Sequence, residues 1–251
     1  SIEQTKSLLI DRNLHTISLD FLRGAKFAIQ TASNNGISVD LSVFDTQNDI
    51  LIINDLLKSN DLSKFNVIIG PLITSNFDFL TSNRGLINIP KISPLSINDV
   101  YLRKNVYQSI PRKDFLRNKM IKYLEKKLDS TQNILLVADS TNRKIEDELK
   151  KKFPYSLILR PEKEDYLLPE LVDSLLIDSV PNKVILESES FPLIASVISQ
   201  MNAQNNSNRN VQLYTTYRGN AYETENISNK VMGGINFTYP TFYKKLPSEN
   251  L

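Results

Sequence analysis

Residues 65–96, FNVIIGPLITSNFDFLTSNRGLINIPKISPLS, constrain the fold more than any other part of the chain. Val67-Ile68-Ile69 is a short, wholly apolar run, the pattern of a strand covered on both faces in a parallel sheet. Gly70-Pro71 breaks it. Thr74, Ser75 and Asn76 carry N-cap chemistry for a following helix whose Phe77, Phe79 and Leu80 face a core. Residues 87–92 read as the next strand, with Pro90 tolerable only near an edge or an irregularity. In open α/β sheets ligands sit beyond the carboxyl ends of the strands, and the turns at 70–76 and 93–96 both fall there.

The same grammar runs along the rest of the chain. Residues 20–34 predict a helix with Phe21, Leu22, Ala25, Ala28, Ile29 and Ala32 on one face, Thr16 or Ser18 as cap and Asn35-Gly36 as stop. A strand over 39–44 and a helix over 49–58 follow. Residues 106–110 read as a strand closed by Pro111, and 112–128 as a helix with Phe115, Met120, Ile121 and Leu124 inward. A second series then begins: strand 133–137, helix 142–153, strand 156–159, helix 164–176 interrupted by Pro169, and strand 184–186 running into Glu187-Ser188-Glu189-Ser190. The Glu146–Lys150 and Glu148–Lys152 pairs mark a solvated helix face. Helix 191–202 turns Leu193, Ile194, Val197, Ile198 and Met201 inward, and strands over 211–214 and 231–238 complete the series. Alternation of this kind implies βαβ units around parallel sheets. The expected architecture is two doubly wound α/β lobes, residues 1–107 and 112–238, joined by a hinge at 108–111, with 239–251 crossing back toward the first lobe.

Composition excludes several function classes. A net charge of +2 spread over interspersed Lys and Glu gives no footprint for nucleic acid. Zero cysteines exclude thiol nucleophiles, thiolate metal sites and disulfides. His15 is the only histidine, which argues against a Ser-His-Asp arrangement or a His-based zinc site. No GxSxG and no GxxxxGK occurs, and Gly233-Gly234 lacks the spacing of a dinucleotide fingerprint. No apolar run approaches the ~20 residues that span a bilayer. The first residues do not form a signal peptide, so any export signal is absent or removed. No cofactor or metal is expected.

Six segments carry a resemblance: LDFLRGAKFAI (19–29), VDLSVFDT (39–46), VIIGPLITSN (67–76), INIPKISPLS (87–96), YQSIP (107–111) and NILLVAD (133–139). Together they resemble the type I periplasmic-binding-protein fold, and most closely the LysM-associated envelope proteins of Bacteroidetes-type bacteria labelled as amino-acid transporter substrate-binding proteins. IIGPL followed by IPKISPLS is the specific part; the rest is general α/β pattern. The resemblance implies a periplasmic or outer-membrane-associated protein whose partner is a small polar ligand, an envelope protein or peptidoglycan. It also implies an apolar strand before the LRGA helix, for which Leu8-Leu9-Ile10 is the only candidate, and further elements after Tyr239-Pro240. The expectation is therefore that these 251 residues belong to a longer chain at both ends.

Candidate ligand residues follow from the same positions. Thr74, Ser75 and Asn76 either offer a helix N-terminus to a carboxylate or cap that helix. Ser93 and Ser96 match the family's second ligand turn, although Leu95 and Ile97 are bulky beside a small zwitterion. Asp139, Glu187, Ser188 and Glu189 end second-series strands, where Glu187 or Glu189 either meets an ammonium group or is a solvated loop acid. Arg218, in Tyr217-Arg218-Gly219, ends another strand. The expected function is a non-enzymatic binding or scaffolding domain of the bacterial envelope. The alternatives are a solute receptor of an amino-acid-type transporter and a regulator of a peptidoglycan synthase.

Overall fold

Asn13 starts the first helix, α1 (Leu14–Asn34), through a capping box: its side chain accepts from His15 N (2.9 Å) and Thr16 N (3.2 Å), and Thr16 Oγ1 accepts from Asn13 N (3.0 Å). The helix therefore begins six residues before the expected start, and Thr16 and Ser18 lie inside it. The computed structural model describes residues 13–162, 165–223 and 227–242. The expected strand at Leu8-Leu9-Ile10 lies outside them, as do residues 243–251. The chain divides into two units, Ser1–Ile110 and Pro111–Leu251. Both are α/β with parallel strands.

In the first unit the inward stripe of α1 is only half-buried at Phe21, Leu22, Ala25, Ile29 and Ala32, and Ala28 is exposed. Residues 37–46 follow α1 without regular secondary structure and pair with no strand among the described residues. The expected strand over 39–44 is therefore missing from the sheet, and Val39, Leu41 and Val43 are 43–57% exposed. A strand needs a ladder partner, and none is present among the described residues. Asp49 caps α2 (Ile50–Ser59) through Leu51 N (2.7 Å). β1 (Ile68–Ile69), α3 (Thr74–Thr81), β2 (Lys91–Ser93) and β3 (Val106–Gln108) follow, and the strands form a parallel sheet in the order β1-β2-β3. Among the described residues β1 is an outer strand of this sheet, and Val67 and Ile69 are exposed, so the run is not covered on both faces as expected. β2 starts after Pro90, because residues 84–86 close a 3-10 turn capped by Asn83 and the proline has no N–H for a ladder. Ile53, Leu62, Leu80 and Leu86 form the core of this unit.

The second unit is built on β4 (Asn133–Ala138), buried at all six positions. α4 (Lys113–Lys127) precedes it, and α5 (Arg143–Lys152), β5 (Leu157–Ile158), α6 (Pro169–Leu175), β6 (Asn182–Glu187), α7 (Phe191–Gln204), β7 (Val211–Tyr214) and α8 (Asn229–Gly234) follow. The sheet is parallel, in the order β5-β4-β6-β7. Strand alternation sorts the core. Leu135, Val137, Val184, Leu186 and Leu213 meet Leu193, Ile194, Val197 and Met201 of α7. On the other face Ile134, Leu136, Ile185 and Tyr214 meet Met120, Ile121 and Leu124 of α4 and Leu149 of α5. Four expectations change here. Phe115 is exposed, because Leu116 takes the core position beside it. Glu146 is buried, paired with Arg143 (3.3 Å) and Arg160, and does not face solvent. Pro169 begins α6, where its missing N–H costs nothing, and does not interrupt a helix. Residues 231–238 do not form a strand: Met232 and Ile235 pack at helical spacing, and Thr238 alone bridges to Tyr214.

No helix among the described residues is long and apolar enough to cross a membrane. Because residues 38–44 make no ladder hydrogen bonds to the described residues, their amides should exchange with solvent at close to the intrinsic rate, whereas those of β4 and β6 should be far slower. Hydrogen exchange read by mass spectrometry checks this, and protection over 38–44 would show that the segment is paired.

Candidate functional site

In the second unit the register that sets Ala138 beside Glu187 delivers Asp139 and Ser188 together at the carboxyl end of the sheet. Ser188 Oγ donates to Asp139 Oδ2 (2.6 Å), while Thr141 Oγ1 (2.7 Å), Asn142 N (3.0 Å) and Asn142 Nδ2 (2.9 Å) donate to Oδ1. Burial pushes the Asp139 carboxyl up, but these donors outweigh it and hold the group below its usual range. Ser188 Oγ also accepts from Ser190 N (2.9 Å). The pair thus ties the end of β4 to the entry of α7.

Glu187, the last residue of β6, is buried with a separate set of partners. Its Oε1 accepts from Thr216 N (2.6 Å) and its Oε2 lies 3.4 Å from Arg117 of α4, whose Nε donates to Thr216 Oγ1 (3.0 Å). Burial pushes the Glu187 carboxyl up, and Arg117 and Thr216 compensate only in part. Arg117 occupies the apolar stripe of α4 next to Met120, Ile121 and Leu124, and a cation at such a position needs a buried partner. That placement is a signal carried by the sequence, although Arg117 was not among the expected site residues. The neighbouring Tyr222 stacks on Phe237 (5.5 Å), and its buried hydroxyl is pushed up by burial and by Glu187.

The outer charges are also paired. Glu189 meets Lys113, whose ammonium lies over the Tyr217 ring (4.5 Å). Arg218 donates to Tyr239 Oη (2.6 Å). Of the expected second-unit residues, the structure therefore brings Asp139 and Ser188 into one buried hydrogen-bonded group and places Glu187 in a second, with Arg117 and Thr216. Glu189 and Arg218 are held separately by Lys113 and Tyr239.

The first unit is different. α3 begins at Thr74 after Ile73, and no side chain caps it, so Ser75 does not serve as its cap. The first turn of α3 lies at an open groove of about 660 Å³, lined by Ile73, Thr74 and Ser75 among others. Leu14, Ile17, Leu72, Ile73, Leu95 and Ile97 make its apolar walls, and Thr74, Ser75, Asp78, Ser96 and Asn98 its polar parts. Thr74 Oγ1 and Ser96 Oγ are hydrogen-bonded (2.6 Å), and Gln108 Nε2 fixes the turn by donating to the carbonyls of Ser96 and Asn98 (2.9 Å each). Asn76 points away, donating to Asn48 Oδ1 (2.8 Å). Ser93 is fully buried, its Oγ without a partner. Of the expected first-unit residues, Thr74, Ser75 and Ser96 line the groove, while Asn76 and Ser93 do not. Among the described residues no group of three or more His, Asp or Glu side chains gathers to hold a metal ion.

No protein-family model matches the sequence, and no curated protein matches it.

Replacing Asp139 with alanine strands the donors of Ser188, Thr141 and Asn142 and should cost roughly 2–3 kcal/mol at neutral pH. Because the folded acid titrates below its unfolded value near 3.8, its stabilisation is present above that pH and lost as pH falls through the folded value. The difference between wild type and Asp139→Ala in urea denaturation should therefore narrow below about pH 4. A difference that stays constant with pH would rule out the carboxylate as the stabilising form.

Proposed function

We propose that the protein is a non-enzymatic binding or scaffolding domain of the bacterial cell envelope, and that its first-unit groove receives a carboxylate carried on an apolar group of its partner. The pairing of the second-unit strand-end acids carries this reading: Asp139, Glu187 and Glu189 are all engaged by groups of the protein itself. A receptor for a free amino acid must neutralise both ends of a zwitterion, and an unpaired buried charge costs more than a good contact returns. The groove supplies the hydroxyls of Thr74, Ser75 and Ser96 and apolar walls for a side chain; its one acid, Asp78, has Oδ1 engaged by Tyr101 N (2.8 Å), and Leu95 and Ile97 favour a group larger than a small zwitterion. The envelope location rests on the resemblance of the IIGPL and IPKISPLS segments. A solute receptor and a regulator of a peptidoglycan synthase are the competing readings on the same fold.

Calorimetry of the protein against leucine, isoleucine and valine should give no binding at micromolar concentration or tighter. An N-acyl-leucine, which keeps the carboxylate and lacks the ammonium, should bind more tightly than leucine. Thr74→Pro removes one first-turn N–H at a position that tolerates proline, since Ile73 is already extended, and should weaken that binding by about tenfold. Micromolar binding of a free amino acid, lost on Ser75→Ala or Glu187→Ala, would overturn the reading in favour of the receptor.

A further inference from the structure

On α4 the residues opposite the core form a basic stripe. Leu116, Met120, Ile121 and Leu124 fix the buried side. At 3.6 residues per turn, Phe115, Lys119, Lys122 and Lys126 fall within about 60° of one another on the far side. All four are exposed, and Phe115 is 54% exposed. The Lys119 ammonium lies over the Phe115 ring (5.4 Å), and Tyr123, also exposed, flanks the lysines. Lys127 extends the charge at the end of the helix. The two acids of α4 do not neutralise the stripe. Asp114 lies in the first turn, and Glu125 is taken by Lys152 of α5 (2.8 Å).

This arrangement disfavours the isolated helix. Lys119, Lys122 and Lys126 are spaced i, i+3 and i+7, so neighbours along the stripe repel where a Glu would support the helix. Lys126 and Lys127 complement the carboxyl end of the helix dipole, but Lys119 and Lys122 are too far from it. None of Lys119, Lys122, Lys126 and Lys127 has an ion-pair partner among the described residues.

We propose that this face of α4 docks on an anionic phospholipid surface. The stripe is straight and convex, the shape that meets a plane; it lacks the concave groove that tracks a polynucleotide. It holds lysines and no arginine, so it offers diffuse positive charge without the bidentate fork that grips a single phosphate. Phe115 and Tyr123 sit among those charges as rings that partition into the headgroup layer, while the lysine stems carry their ammonium groups to the phosphates. The proposal is independent of the groove in the first unit.

Sedimentation with large vesicles tests it. The protein should pellet with phosphatidylcholine vesicles containing about 30% phosphatidylglycerol and not with pure phosphatidylcholine, and about 0.5 M salt should release it. The triple variant Lys119→Gln, Lys122→Gln, Lys126→Gln should lose at least about tenfold in partitioning. The triple Lys→Arg variant should retain it, and both should keep the wild-type circular dichroism. Phe115→Ala should weaken binding with less salt dependence than the lysine changes. Failure to bind anionic vesicles at low salt, or equal binding by the Gln variant, would overturn the proposal. Tighter lysine-dependent binding to duplex DNA than to vesicles would overturn it in favour of a polyanion partner.

Discussion

The second unit depends on what is done with one buried carboxylate. Glu187 ends a central strand of a sheet covered on both faces, where an unpaired charge would cost several kcal/mol. Arg117 and the Thr216 amide meet it, and that requirement explains an arginine on the apolar side of α4. The Thr216 hydroxyl completes the triangle by accepting from Arg117, so α4, β6 and the end of β7 are tied at one point. Asp139 and Ser188 do the same for β4 and the start of α7. The strand ends that would face a ligand in many α/β proteins are therefore occupied by the protein's own groups.

The first unit leaves its equivalent position open. α3 starts without a side-chain cap, and Thr74, Ser75 and Ser96 lie at an apolar-walled groove. The groove of the first unit carries one acid, Asp78, whose Oδ1 accepts from Tyr101 N (2.8 Å), and the strand-end acids of the second unit are engaged within that unit.

How much of this was legible in the sequence follows from which interactions are local. The inward residues of α7 and the strands β4, β6 and β7 were readable because their period and their burial agree. Thr74, Ser75 and Ser96 were readable because strand-ending turns in α/β sheets fall on one edge. Residues 39–44 have a strand's alternation but no neighbour to pair with among the described residues, and pairing is not a property of the segment itself. Residues 231–238 carry β-branched and aromatic side chains, yet Met232 and Ile235 satisfy the core at helical spacing. Arg117 and Glu187 lie 70 residues apart, so only the fold brings them together, although a cation among Met120, Ile121 and Leu124 signals a buried partner.

The most direct test is a double-mutant cycle between Arg117→Met and Glu187→Gln, read by urea denaturation at pH 7 and pH 5. Arg117→Met leaves a buried carboxylate alone and should cost about 3–5 kcal/mol at pH 7, with the double variant well short of the sum of the singles. Because burial raises the Glu187 carboxyl, the folded state takes up its proton before the unfolded state does, and the cost of Arg117→Met should shrink as pH falls toward 5. Additive costs that do not change with pH would contradict the account, for they would mean that Glu187 is not committed to Arg117 and is free to meet a cation from outside.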